Sequence, residues 1–115
     1  MTASAATPVP VEIRRGGDDG LTSSLADSAE KVFGSSPDFA LSTGKERGTI
    51  VVTTPTNVDW KKTFGRVKVI YRVTFDSADG KRLGARSGSC WESALQKCAR
   101  QIVSEATKIT DRARR

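Results

Sequence analysis

The sequence predicts an α+β fold: a two-layer sandwich whose mostly antiparallel sheet of four to five strands carries two helices on one face, in the order β-α-β-β-β-β-α. Three observations lead there. Apolar residues recur at helical spacing in two stretches, Leu21 to Phe33 and Trp91 to Ile109. They alternate at strand spacing, or run β-branched, from Val9 to Ile13, from Thr49 to Thr54 and from Val67 to Phe75. The chain has 115 residues, 37% of them hydrophobic and 28% charged, which is enough for one compact core and too little for two.

Residues 1–8 are small, polar and punctuated by proline, so a flexible leader is expected ahead of a single domain over residues 9–109. In the first strand Val9, Val11 and Ile13 share one face, with Glu12 and Arg14 on the other. The period then changes. Leu21, Leu25, Ala29, Val32 and Phe33 form one helical stripe over Gly20 to Phe33, capped by Asp18 or Asp19 and stopped at Gly34. Phe39 and Leu41 alternate as a very short strand, and "GKERG" is a charged turn. Thr49 to Pro55 is β-branched almost throughout and ends at a proline that cannot donate to a ladder. "TNVDWKK" reads as a loop or irregular edge whose one large apolar residue, Trp60, either folds over the core edge or serves as an aromatic anchor.

The hairpin that follows is strongly sided. Val67, Val69, Tyr71, Val73 and Phe75 occupy one face; Arg66, Lys68, Ile70, Arg72 and Thr74 occupy the other. After the "DSADGK" turn, uninterrupted alternation puts Leu83, Ala85 and Ser87 on the first face and Arg82, Gly84 and Arg86 on the second. Ser89 to Glu92 fits an S-x-x-E capping box, which predicts a second helix from about Cys90 to Ile109, followed by a basic tail over residues 110–115.

Net charge is +6, and its distribution is uneven. Residues 61–90 hold eight Lys and Arg against two Asp, whereas residues 1–60 are net negative. A field of this kind suits another protein with an acidic surface, an anionic membrane surface or nucleic acid. Arg66, Lys68, Arg72, Arg82 and Arg86 are therefore the candidate binding residues, on a sheet face that is either a solvated exterior or a docking surface.

The chain contains no histidine, which removes the His general base, the Ser/His/Asp and Cys/His nucleophilic sites and any His-containing zinc site. Asp76, Asp79 and Glu92 read as turn and cap residues. No catalytic residue, metal or cofactor is expected. Cys90 and Cys98, if both helical, lie about 12 Å apart at roughly 1.5 Å per residue, beyond the roughly 7 Å that a disulfide spans. Two free thiols are expected. A bridge between them requires the helix to begin several residues later, and implies an oxidising compartment.

No apolar run approaches the roughly 18 residues needed to cross a bilayer, and the N-terminus lacks the regions of a signal peptide. The expected location is the periplasm or cell envelope if a signal segment has been removed, and the cytoplasm otherwise.

Two resemblances bear on function. The amphipathic helix ending "SSPDFALS", then "TIVVTTP", the long hairpin "VKVIYRVTFDSADGKRL" and a closing helix resemble, over residues 9–109, the small α/β domain of cell-envelope proteins such as the TolB N-terminal domain and CsgG-like lipoproteins. That resemblance implies a non-catalytic domain that binds partner proteins or assembles. Separately, Tyr71 to Val103 resembles the last two strands and final helix of a double-stranded-RNA-binding domain, a family that grips phosphate with a lysine pair near the start of that helix. Trp91 and Glu92 stand at the corresponding positions, and Ile50 to Thr54 is a strand that family lacks. The leading expectation is a non-enzymatic interaction or assembly domain of the bacterial envelope; a nucleic-acid-binding module using the same basic face is the alternative.

Overall fold

The computed structural model describes residues 8–42, 47–54 and 57–113. Residues 1–7 of the expected leader, most of the "GKERG" turn and the last two residues of the basic tail lie outside the described residues.

Among the described residues nine elements follow in order: β1 (Val9–Arg15), α1 (Gly20–Ser35), β2 (Phe39–Leu41), β3 (Ile50–Thr54), β4 (Asp59–Thr63), β5 (Arg66–Ser77), β6 (Arg82–Trp91), a single 3-10 turn (Glu92–Ala94) and α2 (Leu95–Ala113). The α+β class and the two-helix layer are as the sequence predicts. The additional strand is β4, at the stretch read as a loop or irregular edge. It pairs antiparallel with the first half of β5, from Asp59 opposite Ile70 to Thr63 opposite Arg66.

The six strands form one sheet, organised around the twelve-residue β5. β3 pairs antiparallel with the second half of β5 and β4 with the first half, while β6 runs along most of its length from Lys68 to Asp76. Because β6 overlaps both in register, β3 and β4 must share the opposite edge of β5. Beyond β3 lie β1 and then β2, both paired in parallel. The parallel pairing follows from α1, which carries the chain back over the sheet between β1 and β2.

Both helices cover one face. Val11, Val52, Val69, Tyr71, Val73 and Phe75 from the sheet join Leu25, Ala29 and Phe33 from α1 and Cys98, Ala99, Ile102, Ala106 and Ile109 from α2 in a single buried cluster. Removing these side chains from water at roughly 25 cal/mol per Å² of apolar area is the main stabilising contribution. Phe33 meets Phe39 edge to face, with centroids 5.1 Å apart, which closes the sheet's outer end.

α1 begins where predicted. Asp19 is the N-cap and accepts from the Thr22 backbone N–H at 2.6 Å. Gly34 does not stop it; the helix runs on to Ser35. The Thr22 hydroxyl, fully buried, accepts from the Val58 N–H at 2.9 Å, and Asn57 Oδ1 accepts from the Asp18 and Asp19 N–H groups. These bonds fasten the approach to β4 onto the start of α1. Across from them, Arg15 reaches from β1 to Asp27 and Glu30 of α1, and the Asp27 hydrogen bond holds its guanidinium above its ordinary pKa.

Three expectations about the chain after the hairpin are corrected. The capping box does not form: Ser89, Cys90 and Trp91 belong to β6, Trp91 makes no side-chain cap bond, and α2 starts at Leu95. With Cys90 at the end of a strand and Cys98 in the first turn of α2, their Cα atoms are 5.7 Å apart and the two are joined in a disulfide. The free-thiol expectation rested on both cysteines being helical, and a strand-to-helix turn replaces that rise. α2 also continues to Ala113, through residues read as tail.

Candidate functional site: the basic end of the sheet

Cross-strand partners in register lie on the same face, so the pairing of β5 sorts the candidate cations. Phe75, Val73, Tyr71 and Val69 face the helices, and opposite them on β6 stand Gly84, Arg86, Gly88 and Cys90. Arg86 is therefore on the helix side. The reason is a bulge: Asp76 pairs with Arg82 and Phe75 with Gly84, leaving Leu83 as an extra residue that reverses the parity of everything after it.

Within the helix layer Arg86 joins a polar network. Its Nη1 lies 3.7 Å from Glu105 Oε1 on α2, and Arg112 Nη2 is 3.3 Å from Glu105 Oε2. Burial pushes the Tyr71 phenol up from its ordinary pKa, and a hydrogen bond from Arg86 partly opposes this. The Tyr71 hydroxyl donates to Gln101 Oε1 at 2.7 Å, while Gln101 Nε2 donates to the Ser89 carbonyl at 3.3 Å. Gly88 makes room for this: a Cβ there lies 2.4 Å from Gln101 Oε1 and 2.7 Å from the Tyr71 hydroxyl. The network is architecture under α2.

The other four candidates share the open face. Arg66, Lys68 and Arg72 of β5 are exposed, with Ile70 between them. Arg82 is exposed too but engaged, its Nε 2.6 Å from Asp76 Oδ1. Lys61 of β4, which the sequence reading did not include, stands directly opposite Lys68. Its signal is the adjacent lysine pair of "DWKKT", which puts one cation on each face of any strand formed there. Trp91, expected in the helical stripe, lies on this face opposite Lys68, with the Arg66 guanidinium carbon 3.9 Å from a ring centroid. Lys61, Lys68 and Arg72 have no ion pair among the described residues, and no described helix or strand packs over this part of the sheet. Towards β1 and β3 the same face is tighter, with Val51 and Thr74 buried.

Trp60 is opposite Val69, on the helix side of β4, and is 61% exposed. With Asp19, Leu21, Val67 and Glu92 it lines an open groove of about 310 Å³ between the start of α1 and the hairpin. It neither folds into the core nor joins the open basic face.

The tip of the β4–β5 hairpin carries a feature that sequence reasoning missed. Phe64 and Gly65 form a two-residue turn closed by Thr63 opposite Arg66, with φ of 50° and 76°. Both values are positive, as in the type I′ turns that favour Asn-Gly. Phe64 is 99% exposed. The "FG" between two alternating runs was its only signal.

No group of three or more His, Cys, Asp or Glu among the described residues is placed to hold a metal ion, and no described helix is long and apolar enough to cross a membrane. Of the acidic residues read as turn and cap residues, Asp76 is tied to Arg82 and Asp79 to Ser77 in the turn.

Fold and site together define a two-layer α+β domain with a basic, open sheet end. Three solved structures share the fold. Protein XCC0632 from Xanthomonas campestris, of the DUF330 family, superposes with a TM-score of 0.67 at 10% identity, over 91% of this chain and 87% of that one. A dodecamer of a single-substitution PelC variant from Paraburkholderia phytofirmans gives 0.61 at 10% identity, over 89% and 91%. A minor lipoprotein from Acinetobacter baumannii gives 0.56 at 14% identity, over 88% and 94%. No protein-family model and no curated protein matches the sequence. Neither the TolB and CsgG resemblance nor the double-stranded-RNA-binding one is met by these neighbours. The latter also loses its footing locally, because Trp91 lies on a strand and β3 is an interior strand of the sheet.

Proposed function

We propose that this protein is a non-enzymatic assembly domain of the bacterial cell envelope, whose open sheet end docks an acidic surface of another protein. The observation that carries the reading is the Lys61–Lys68 pair. Two like charges placed directly across a ladder destabilise it, and here Arg66 and Arg72 extend the cationic patch around the half-exposed Ile70, with Asp59 opposite Ile70 offsetting only part of the charge. Such a patch gains its compensation from a complementary partner, with Ile70 and the Arg66–Trp91 stack as the apolar centre and the cations as the rim.

The disulfide supports an envelope location, since such bonds persist outside the reducing cytoplasm. Among the fold neighbours, one is named a lipoprotein, which supports the same location, and another is a dodecamer, which supports assembly. Nucleic acid is the competing occupant of the same cations. Against it, the one aromatic ring on this face among the described residues, Trp91, is already stacked by Arg66 and is not a free platform for a base.

The test is a paired charge reversal. Arg72→Glu with Lys68→Glu should abolish capture of the partner, or self-association, by the native-sequence protein, while Lys31→Glu on α1 should leave it intact. Equal behaviour of the two variants overturns the reading. Retention on DNA or RNA that weakens steeply with salt selects the nucleic-acid alternative.

A further inference from the structure

We propose that the β4–β5 hairpin tip is a membrane-surface anchor, which inserts Phe64 among anionic lipid headgroups. This goes beyond the sheet-face reading: it shares Lys61, Arg66 and Lys68 with that face and adds Phe64 and Lys62, while Arg72 belongs to the sheet face alone.

Two observations converge on the tip. The first is the aromatic itself. Phe64 is 99% exposed, at a turn position where positive φ disfavours a side chain of its size. A fold built for stability places Asn or Gly there. The tip also projects: the last pairing of β6 is Trp91 with Lys68, so residues 64–67 extend past that strand, paired in the sheet with β4 alone and braced at their base by the Arg66–Trp91 stack.

The second is the collar. Between Trp60 and Lys68 the chain carries Lys61, Lys62, Arg66 and Lys68 and no acidic residue. Lys61, Arg66 and Lys68 are on the open face, and Lys62, opposite Val67, is on the other, so positive charge surrounds the tip on both sides. Lys61, Lys62 and Arg66 stand within three residues of Phe64, roughly 10 Å at about 3.3 Å per residue. A ring buried to the acyl boundary therefore leaves these cations level with the phosphates. One exposed aromatic inside a ring of Lys and Arg is the pattern by which peripheral proteins combine apolar burial with attraction to anionic lipid. A protein pocket would match the phenyl ring equally well, but one that also surrounds it with negative charge on both sides of a protruding strand pair is a far more demanding shape than a headgroup layer.

The experiment is vesicle flotation of the full chain with its disulfide intact, using phosphatidylcholine vesicles with and without one quarter phosphatidylglycerol. Binding should require the anionic lipid and fall with salt. Both tryptophans of the chain flank the tip, so Trp60 and Trp91 emission should shift to the blue on binding. Phe64→Asn suits the turn and keeps the fold; it should weaken binding at least about tenfold, the scale set by one Phe side chain leaving water. Lys62→Glu should weaken binding as well, whereas Arg72→Glu should change it far less, which separates this surface from the sheet-face site. No binding to the anionic vesicles, or equal binding by Phe64→Asn, overturns the proposal. So does loss of an oligomer by Phe64→Asn in the absence of lipid, which would seat the ring in a second copy.

Discussion

Arg86 on β6 and Glu105 on α2 face each other across the helix–sheet interface, Nη1 to Oε1 at 3.7 Å, with side chains 32% and 15% exposed. The arginine that hairpin alternation assigns to the open face is instead part of the interior architecture, and its Nε is buried without a partner among the described residues. Truncating it strands Glu105 with Arg112 alone and removes a donor to Tyr71. Arg86→Ala is expected to lower unfolding free energy by about 1–3 kcal/mol, the range for leaving a buried polar group unsatisfied. Arg72→Ala, exposed on the other face, should stay within about 0.5 kcal/mol. Urea unfolding of both variants checks this; equal effects would mean the parity of β6 is wrong.

That parity shows where the sequence is legible and where it is not. On β5 the alternation is uninterrupted from Val67 to Phe75, and the structure agrees residue by residue. On β6 a single inserted residue, Leu83, reverses the faces, and its composition gives no warning because Leu, Gly, Ala and Ser suit either side. In the structure the glycines mark the helix-facing parity: Gly84 and Gly88 share it with Arg86 and Cys90, and a Cβ at Gly88 would run into Gln101 Oε1 and the Tyr71 hydroxyl, while one at Gly84 would press on Ile109. The same blindness affected Ser89 to Glu92, where a capping pattern competes with strand pairing; pairing of Val69 with Cys90 and Lys68 with Trp91 decided the outcome. β4 was hidden by its composition, since a strand whose residues are nearly all exposed has no apolar alternation to detect. The basic patch was legible because charge needs no register, except in the one residue that the bulge moved.

The disulfide should matter to stability despite its short span. It closes a loop over a sequence separation of eight, for which chain-entropy reasoning gives about 2.5 kcal/mol. It also fixes the turn that delivers α2 to the sheet. A Cys90→Ala, Cys98→Ala double variant is expected to lose about 2–3 kcal/mol, seen as a lower urea midpoint with a similar slope. The untreated protein should show the same shift in reductant strong enough to reach a buried bridge. An unchanged midpoint would mean that the connection is set by packing alone.

Acid should loosen the start of α1 and the β5–β6 turn. The Asp19 carboxylate is held below its ordinary 3.8 by the Thr22 hydroxyl and then by the Thr22 backbone N–H. Asp79 is likewise held below 3.8, first by the Ser77 hydroxyl and then by the Lys81 backbone N–H. Because these groups take up protons more readily unfolded than folded, their stabilisation is fully present above the ordinary carboxylate range. It is lost as pH falls through the folded values. Asp19→Asn keeps an N-capping side chain and removes the titration, so its thermal midpoint should fall less than that of the native sequence between pH 5 and the acid limit. Parallel pH profiles would show that Asp19 does not contribute.

The hairpin tip should be more stable when it is less functional. Phe64 holds a positive φ that costs a non-glycine residue on the order of 1 kcal/mol or more. Its ring contributes no burial in return, being 99% exposed. Asn tolerates the left-handed region and is favoured in a two-residue turn of this kind. Phe64→Asn is therefore expected to raise the unfolding midpoint, by roughly 4–8 °C per kcal/mol for a domain somewhat smaller than this one and less as size increases. Lys61→Glu should add a few tenths of a kcal/mol by turning a like-charge pair opposite Lys68 into an attractive one. Differential scanning calorimetry on the two variants and their combination measures both, and the gains should add because the sites share no partner. A ring and a charge pair that each lower stability, three residues apart on an exposed hairpin, are what selection for binding leaves behind. Destabilisation by Phe64→Asn would show instead that the phenyl ring supports the turn, and would remove the stability argument for an anchor at the tip.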